Sequence, residues 1–200
     1  MVLLQNYSYA KSIDGFSSVE YLVVFITIVY GFITSYFFSG WGHMIQNRKK
    51  IVFSLEHFSW TVFTFIVLVT NWYASWHKVE YINANIWYFF LSIVPQLCYY
   101  FIAVLLFPNH RKGNVNFDNY LKMNRKYIYR CLSIICMVGY VSGIFYDENT
   151  FFDSQNLLRL IGAILVFIGS FVKNQSFHYY MIFISLLLLL FFLQTIPSIE

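Results

Sequence analysis

The sequence predicts an all-α polytopic membrane protein, with six transmembrane helices in one bundle and both termini outside. Three observations carry that prediction. Hydrophobic residues make up 59% of the 200 and charged residues only 11%, against about a quarter charged in a soluble domain. The few charges gather in short patches between apolar runs of membrane-spanning length. Lysine and arginine fall almost entirely in alternate links, which is how a multi-pass chain encodes its orientation. The net charge of +4 is then topology information and gives no reason to expect nucleic acid as a partner. The 17 tyrosines and 23 phenylalanines suit the same reading, because many sit near span ends, where amphipathic rings settle.

Residues 1–18 read as a polar extracytoplasmic segment. It carries Lys11 and Asp14 and lacks the basic start and apolar core of a cleavable signal. Residues 19–196 read as one six-helix domain. The first span, about 19–40, opens on a capping box, Ser17-Ser18-Val19-Glu20. Its small and polar residues Thr27, Gly31 and Thr34 share one helical face, suited to a tight helix contact or a polar lining. The run Ser39-Gly40-Trp41-Gly42-His43 and the basic knot Arg48-Lys49-Lys50 then make the turn of a transmembrane hairpin.

The second span, about 51–76, holds the clearest periodicity. Ser54, His57, Thr61, Thr64, Asn71 and Ser75 follow gaps of three, four, three, seven and four, which form one stripe. Lipid cannot satisfy those groups, so the stripe faces protein or water. Packing in a bundle core and one wall of a solute path both fit. The third span, about 86–107, has Pro95 near its middle, where a proline removes a hydrogen bond and kinks the helix. Gln96 follows it and joins the candidate polar path.

Between Pro108 and Lys126 lies the longest link. Phe117, Tyr120, Leu121 and Ile128 fall on one helical side and Lys122, Arg125 and Lys126 on another. That predicts a short helix in the interface, with those three cations against anionic lipid headgroups. The fourth span, about 127–146, carries Gly139 and Gly143 at G-x-x-x-G spacing, which allows close backbone approach; a homo-oligomer is left open. Asp153 is placed to cap the fifth span, about 155–172. The sixth, about 177–194, has an all-apolar run, Leu186 to Leu190, assigned to the lipid side.

Orientation follows from the cations. Arg48, Lys49, Lys50, Arg111, Lys112, Lys122, Arg125, Lys126, Arg130 and Lys173 fall in the links after spans one, three and five or at their borders. The other side has Lys11 and Lys78, with Arg159 inside a span. Both termini are therefore expected outside. Glu20, Glu56 and Arg159 are the charges at or within spans, and each is a candidate functional residue by default. Depth separates Arg159 from Glu56, so Arg159 is expected to reach Glu20 or the acidic link Asp147-Glu148-Asn149 with Asp153.

No H-E-x-x-H, P-loop or G-x-S-x-G occurs, so an enzyme is not the expected class. No metal or cofactor is expected. His43, His57, His110 and His178 gather toward the cytoplasmic side, which leaves a membrane enzyme there as a third option. Cys98, Cys131 and Cys136 have no C-x-x-C spacing and read as thiols filling helix contacts.

Two resemblances are carried by residues already quoted. Pro95-Gln96 is similar to the Pro-Gln kink of PQ-loop and SWEET-type sugar transporters, which have seven helices and two such dipeptides; this chain has one. Gly31-Phe32 through Gly40-Trp41-Gly42, His57-x-x-Trp60, Asn71-Trp72-Tyr73-x-x-Trp76, Leu105-Leu106-Phe107-Pro108, Tyr120 and Arg125-Lys126-Tyr127 together resemble an uncharacterised group of small multi-pass bacterial membrane proteins. That resemblance implies the bacterial inner membrane and supplies no functional residues. The sequence thus supports a small transporter or channel with a path through His57, Thr61, Thr64, Asn71, Thr27, Thr34 and Gln96. A non-transport interaction or sensor protein using its basic loops is the alternative.

Overall fold

The computed structural model describes residues 18–75, 86–108, 115–146 and 153–195. They contain six α-helices: α1 (Ser18–Gln46), α2 (Leu55–Ser75), α3 (Ile86–Leu106), α4 (Phe117–Tyr146), α5 (Ser154–Gly169) and α6 (Gln175–Thr195). Four of these, α1, α3, α4 and α6, are long and apolar enough to cross a membrane. α2 has the length but is more polar. α5 has only 16 residues, ~24 Å at 1.5 Å per residue, against a hydrocarbon core of ~30 Å. By length and composition, four of the six expected spans are thus long and apolar enough to cross a membrane among the described residues.

Successive helices run antiparallel. At one end the Gly40 region of α1 meets Phe107, the His57 ring near the start of α2 meets the Leu106 carbonyl at the end of α3, and Tyr129 of α4 meets Gly169 of α5 and His178 of α6. At the other end Phe25 stacks near Phe89, and Arg159 near the start of α5 lies over Phe192 near the end of α6. The first end carries Arg48 to Lys50, Lys122 to Arg130 and Lys173, and is called the basic end below. The start of α1 and the finish of α6 both lie at the opposite end.

Several local expectations change. The first helix continues through Gly40-Trp41-Gly42-His43 to Gln46, since nothing there removes a backbone donor. α2 starts at Leu55 because Ile51-Val52 is extended and pairs in parallel with Val115-Asn116, Ile51 with Val115 and Val52 with Asn116. β-branched residues favour that conformation. Ser54 is then the cap of α2: its Oγ accepts the His57 N–H at 3.3 Å. Asn116 does the same for α4, accepting the Asp118 and Asn119 N–H groups at 3.0 and 3.1 Å. Asp153 caps α5 through the Gln155 N–H at 3.1 Å. Ser17 lies outside the described residues.

The expected interfacial helix is not a separate element. It forms the first turns of α4, which runs unbroken for 30 residues. That is ~45 Å, longer than the ~30 Å hydrocarbon core of a bilayer. Phe117, Leu121, Arg125, Ile128 and Leu132 all fall on its buried face, because steps of four, four, three and four keep to one side of a 3.6-residue helix.

On α1 the packed face is Ile26, Tyr30, Ile33 and Phe37. The expected Thr27–Gly31–Thr34 face does not pack: Thr27 and Gly31 are exposed, Thr34 is half-buried, and a Cβ built on Gly31 would touch nothing. Small residues draw helices together only where backbones come close; here α1 makes its contacts through large rings. α6 has a buried face despite its leucine run: His178, Met181, Ile182, Ser185 and Leu189 point inward, while Leu186, Leu187 and Leu190 are exposed.

Candidate functional site

Two features stand out, one in each half of the bundle. At the basic end is a buried ion pair. Arg125 Nη2 donates to Glu56 Oε1 at 2.6 Å, with the Glu56 side chain fully buried and that of Arg125 9% exposed. Arg125, read with Lys122 and Lys126 as a headgroup contact, is turned inward; Lys122 and Lys126 remain exposed. Lys122 bonds Asp118 one turn back. Glu56 is in the first turn of α2, where the N–H groups and helix dipole favour a negative charge.

The residues next to this pair are aromatic and engaged. His57 Nε2 donates to the Leu106 carbonyl at 2.7 Å, and its ring lies 4.4 Å from that of Phe117. A carbonyl only accepts, so Nε2 carries the proton. Trp60 is wholly buried, 4.9 Å from the Tyr129 ring. His178 Nε2 donates to the Val172 carbonyl at 3.0 Å, leaving Nδ1 to accept the Tyr129 hydroxyl at 3.0 Å. Glu56 Oε2, Arg125 Nε and His57 Nδ1 are buried without a partner among the described residues. Such orphans inside a protein are costly. The pair is therefore held by surrounding packing rather than by a complete hydrogen-bond network.

The other feature is a cavity of about 220 Å³ in the half away from the basic end. Its polar lining includes Asn71 of α2, Gln96 and Tyr99 of α3, Ser142 of α4, Arg159 of α5 and Ser185 of α6. Asn71 Nδ2 donates to the Tyr99 hydroxyl at 3.2 Å, and that hydroxyl donates to the Val67 carbonyl at 3.4 Å. Gln96 is 2% exposed, and its Oε1 has no partner among the described residues. Pro95 lies beside it and also lines the cavity. Proline removes the bond that the Leu91 carbonyl would receive, and Leu91 belongs to the same wall.

Arg159 turns into the bundle. Nη1 donates to the Gly139 carbonyl at 3.2 Å and to Asn156 Oδ1 at 3.1 Å, and Nη2 reaches Gln155 Oε1 at 3.5 Å. Its guanidinium carbon is 5.3 Å from the centre of the Phe192 ring, a cation–π distance. Glu20 is exposed. The acidic link at 147–149 lies outside the described residues.

The α2 stripe is divided between these features. Thr61 and Thr64 are fully buried and do not line the cavity. Their hydroxyls donate to the His57 and Trp60 carbonyls one turn back, at 2.7 and 2.8 Å. His57 belongs to the basic end and Asn71 to the cavity, with Thr61, Thr64, Leu68 and Tyr99 packed between. Thr64→Ala should accordingly cost less than ~1 kcal/mol, because the hydroxyl serves only its own helix. Reversible unfolding in a bilayer mimic measures it; a loss several times larger would mean that Thr64 holds another helix.

Of the four histidines expected together, His57 and His178 reach the same buried region, His43 is exposed, and His110 lies outside the described residues. No cluster of three metal-binding side chains occurs among the described residues. Cys98 is buried and Cys131 and Cys136 half-buried, all as free thiols. Sequence reasoning missed the Glu56–Arg125 contact. Its one available signal was that Arg125 shares a helical face with Leu121 and Ile128.

Compared with known proteins, the chain matches no family model, no curated protein and no solved structure. The class the fold defines is an all-helical chain whose four long apolar helices are compatible with an integral membrane protein.

Proposed function

We propose that this is a multi-pass protein of the bacterial inner membrane, crossing six times with both termini outside, and that it is a small transporter or channel. The observation that carries the transport reading is the cavity, in which Asn71, Gln96 and Tyr99 converge within mostly apolar walls. Pockets of that make-up bind small ligands, the few polar groups setting orientation. Its occupant would be a small, largely apolar solute with one or two hydrogen-bonding groups. The packed layer at Thr61 and Thr64 and the buried Glu56–Arg125 pair close the path toward the basic end. That is how one side of an alternating-access cycle would look. α2 serves as a span because its polar stripe meets protein, and α5 because α4 and α6 flank it; local thinning accommodates a short helix. The resemblance to small bacterial multi-pass proteins goes with this reading.

Thiol labelling in intact cells tests it, on a background lacking Cys98, Cys131 and Cys136. An impermeant maleimide should label Asn149→Cys and spare Asn114→Cys. It should also reach Ser92→Cys, which lines the cavity. Labelling of Asn114→Cys without Asn149→Cys would reverse the orientation. The packed lower half of the stripe favours a second reading, a sensor or interaction protein acting through its basic loops. A Ser92→Cys thiol closed to reagents from both sides would select that one.

A further inference from the structure

On its outer surface the bundle has a groove between α4 and α5 of about 520 Å³, separate from the central cavity. Its floor is made by two small buried residues, Ser133 and Ala163. Ser133 Oγ donates to the Ala163 carbonyl at 3.0 Å, so the helices are tied closely there. The walls are large, apolar and exposed: Ile134 on one side, Ile164 and Phe167 on the other. At the basic end of the groove stands Arg130. From Arg130 to Val138, the lining of α4 extends ~12 Å at 1.5 Å per residue. That is most of one leaflet of a ~30 Å core.

The charge at the mouth has one sign. Arg130 is exposed, with its guanidinium carbon 5.7 Å from the Phe171 ring centre. Lys126, one turn earlier, and Lys173, just past α5, are exposed too. Among the described residues none of these three forms a salt bridge, whereas Lys122 does.

We propose that this groove is a binding site for an anionic glycerophospholipid of the leaflet at the basic end. The phosphate meets Arg130, and one acyl chain lies over Ser133 and Ala163. An apolar slot ending in cations that form no salt bridge among the described residues matches that molecule in both chemistry and order. A second copy of the chain fits less well. Pairing through this face about an axis along the membrane normal would set Arg130 against its own counterpart.

The site rests on the membrane reading above, and its test is independent of the labelling experiment. Native mass spectrometry of the purified protein, with equal amounts of phosphatidylglycerol and phosphatidylcholine, reads occupancy directly. Phosphatidylglycerol should be retained preferentially. Arg130→Gln should cut that preference about fivefold, the effect of one cation near a headgroup. Arg130→Lys should keep it, as should Lys49→Gln, which removes an exposed cation elsewhere at the same end. Equal retention of the two lipids would overturn the site. So would equal losses in Arg130→Gln and Lys49→Gln, or a dimer that forms as the lipid leaves. A chain that labels with the expected topology yet shows no lipid preference loses this site alone.

Discussion

Glu56→Leu is expected to destabilise the fold by about 3–5 kcal/mol, because it leaves the Arg125 charge buried with no counter-charge. The double variant Glu56→Leu with Arg125→Met should recover most of that loss. A buried pair gains its mutual attraction only after both charges have been stripped of water. Replacing both partners by apolar residues of similar size is often neutral, or stabilising by about 1–4 kcal/mol. Here the argument is sharpened by the buried Glu56 Oε2 and Arg125 Nε, which lack partners among the described residues. The pair is already incompletely compensated, so its removal as a unit should be well tolerated by stability. Unfolding of the single and double variants in a bilayer mimic measures the coupling. If the double variant is as unstable as the single one, the two residues are not energetically joined.

The same double variant separates stability from function. If the pair closes the path, an apolar pair of the same size should fold yet lose the ability to open and shut, since no charge contact remains to be broken and remade. Ser92→Cys labelling would then be fixed in one state. That outcome is specific to a gate and would not follow from a purely structural pair.

The second large effect concerns the two glycines of α4. Gly143→Ala should destabilise by roughly 1–3 kcal/mol, the usual cost of overpacking. A Cβ on Gly143 would overlap Asn156 Oδ1 and the Arg159 guanidinium. Asn156 is fully buried and holds Arg159 at 3.1 Å, so neither group can give way without breaking that contact. Gly139→Ala should be neutral or slightly stabilising. Its Cβ would meet Arg159 Cδ at 3.6 Å, an ordinary contact. Alanine also gains up to about 1 kcal/mol over glycine within a helix. Thermal unfolding of the two variants side by side decides it. Equal effects would show that α4 and α5 can separate locally, and that the close approach at Gly143 is not required. The G-x-x-x-G spacing alone treats the two positions alike; only the neighbouring helix tells them apart.

Much of the architecture was legible because its signals are local. Apolar runs, a proline and capping residues are read from a few neighbouring residues, and they placed the helices to within a few residues except at the end of α1, the start of α2 and the start of α4. The last two have a non-local cause. Ile51-Val52 became extended because Val115-Asn116 was there to pair with it. The start of α4 joined its span because Phe117 and Leu121 found a buried face to pack on.

What the sequence by itself determined is the order of the six apolar helices, their polarity, and the existence of a polar stripe on α2. Those follow from hydropathy and 3.6-residue periodicity, which need no knowledge of the partner helix. What only the tertiary structure decided is which polar groups meet. Glu56 and Arg125 are 69 residues apart, and nothing in either local pattern specifies the other. The structure also decided that α1 packs through Tyr30 and Phe37 instead of Thr27 and Thr34, and that the stripe on α2 opens onto a cavity at Asn71 but is shut at Thr61 and Thr64. A helix in lipid has several faces that could pack, and the choice among them is made by the shapes and charges its neighbours present.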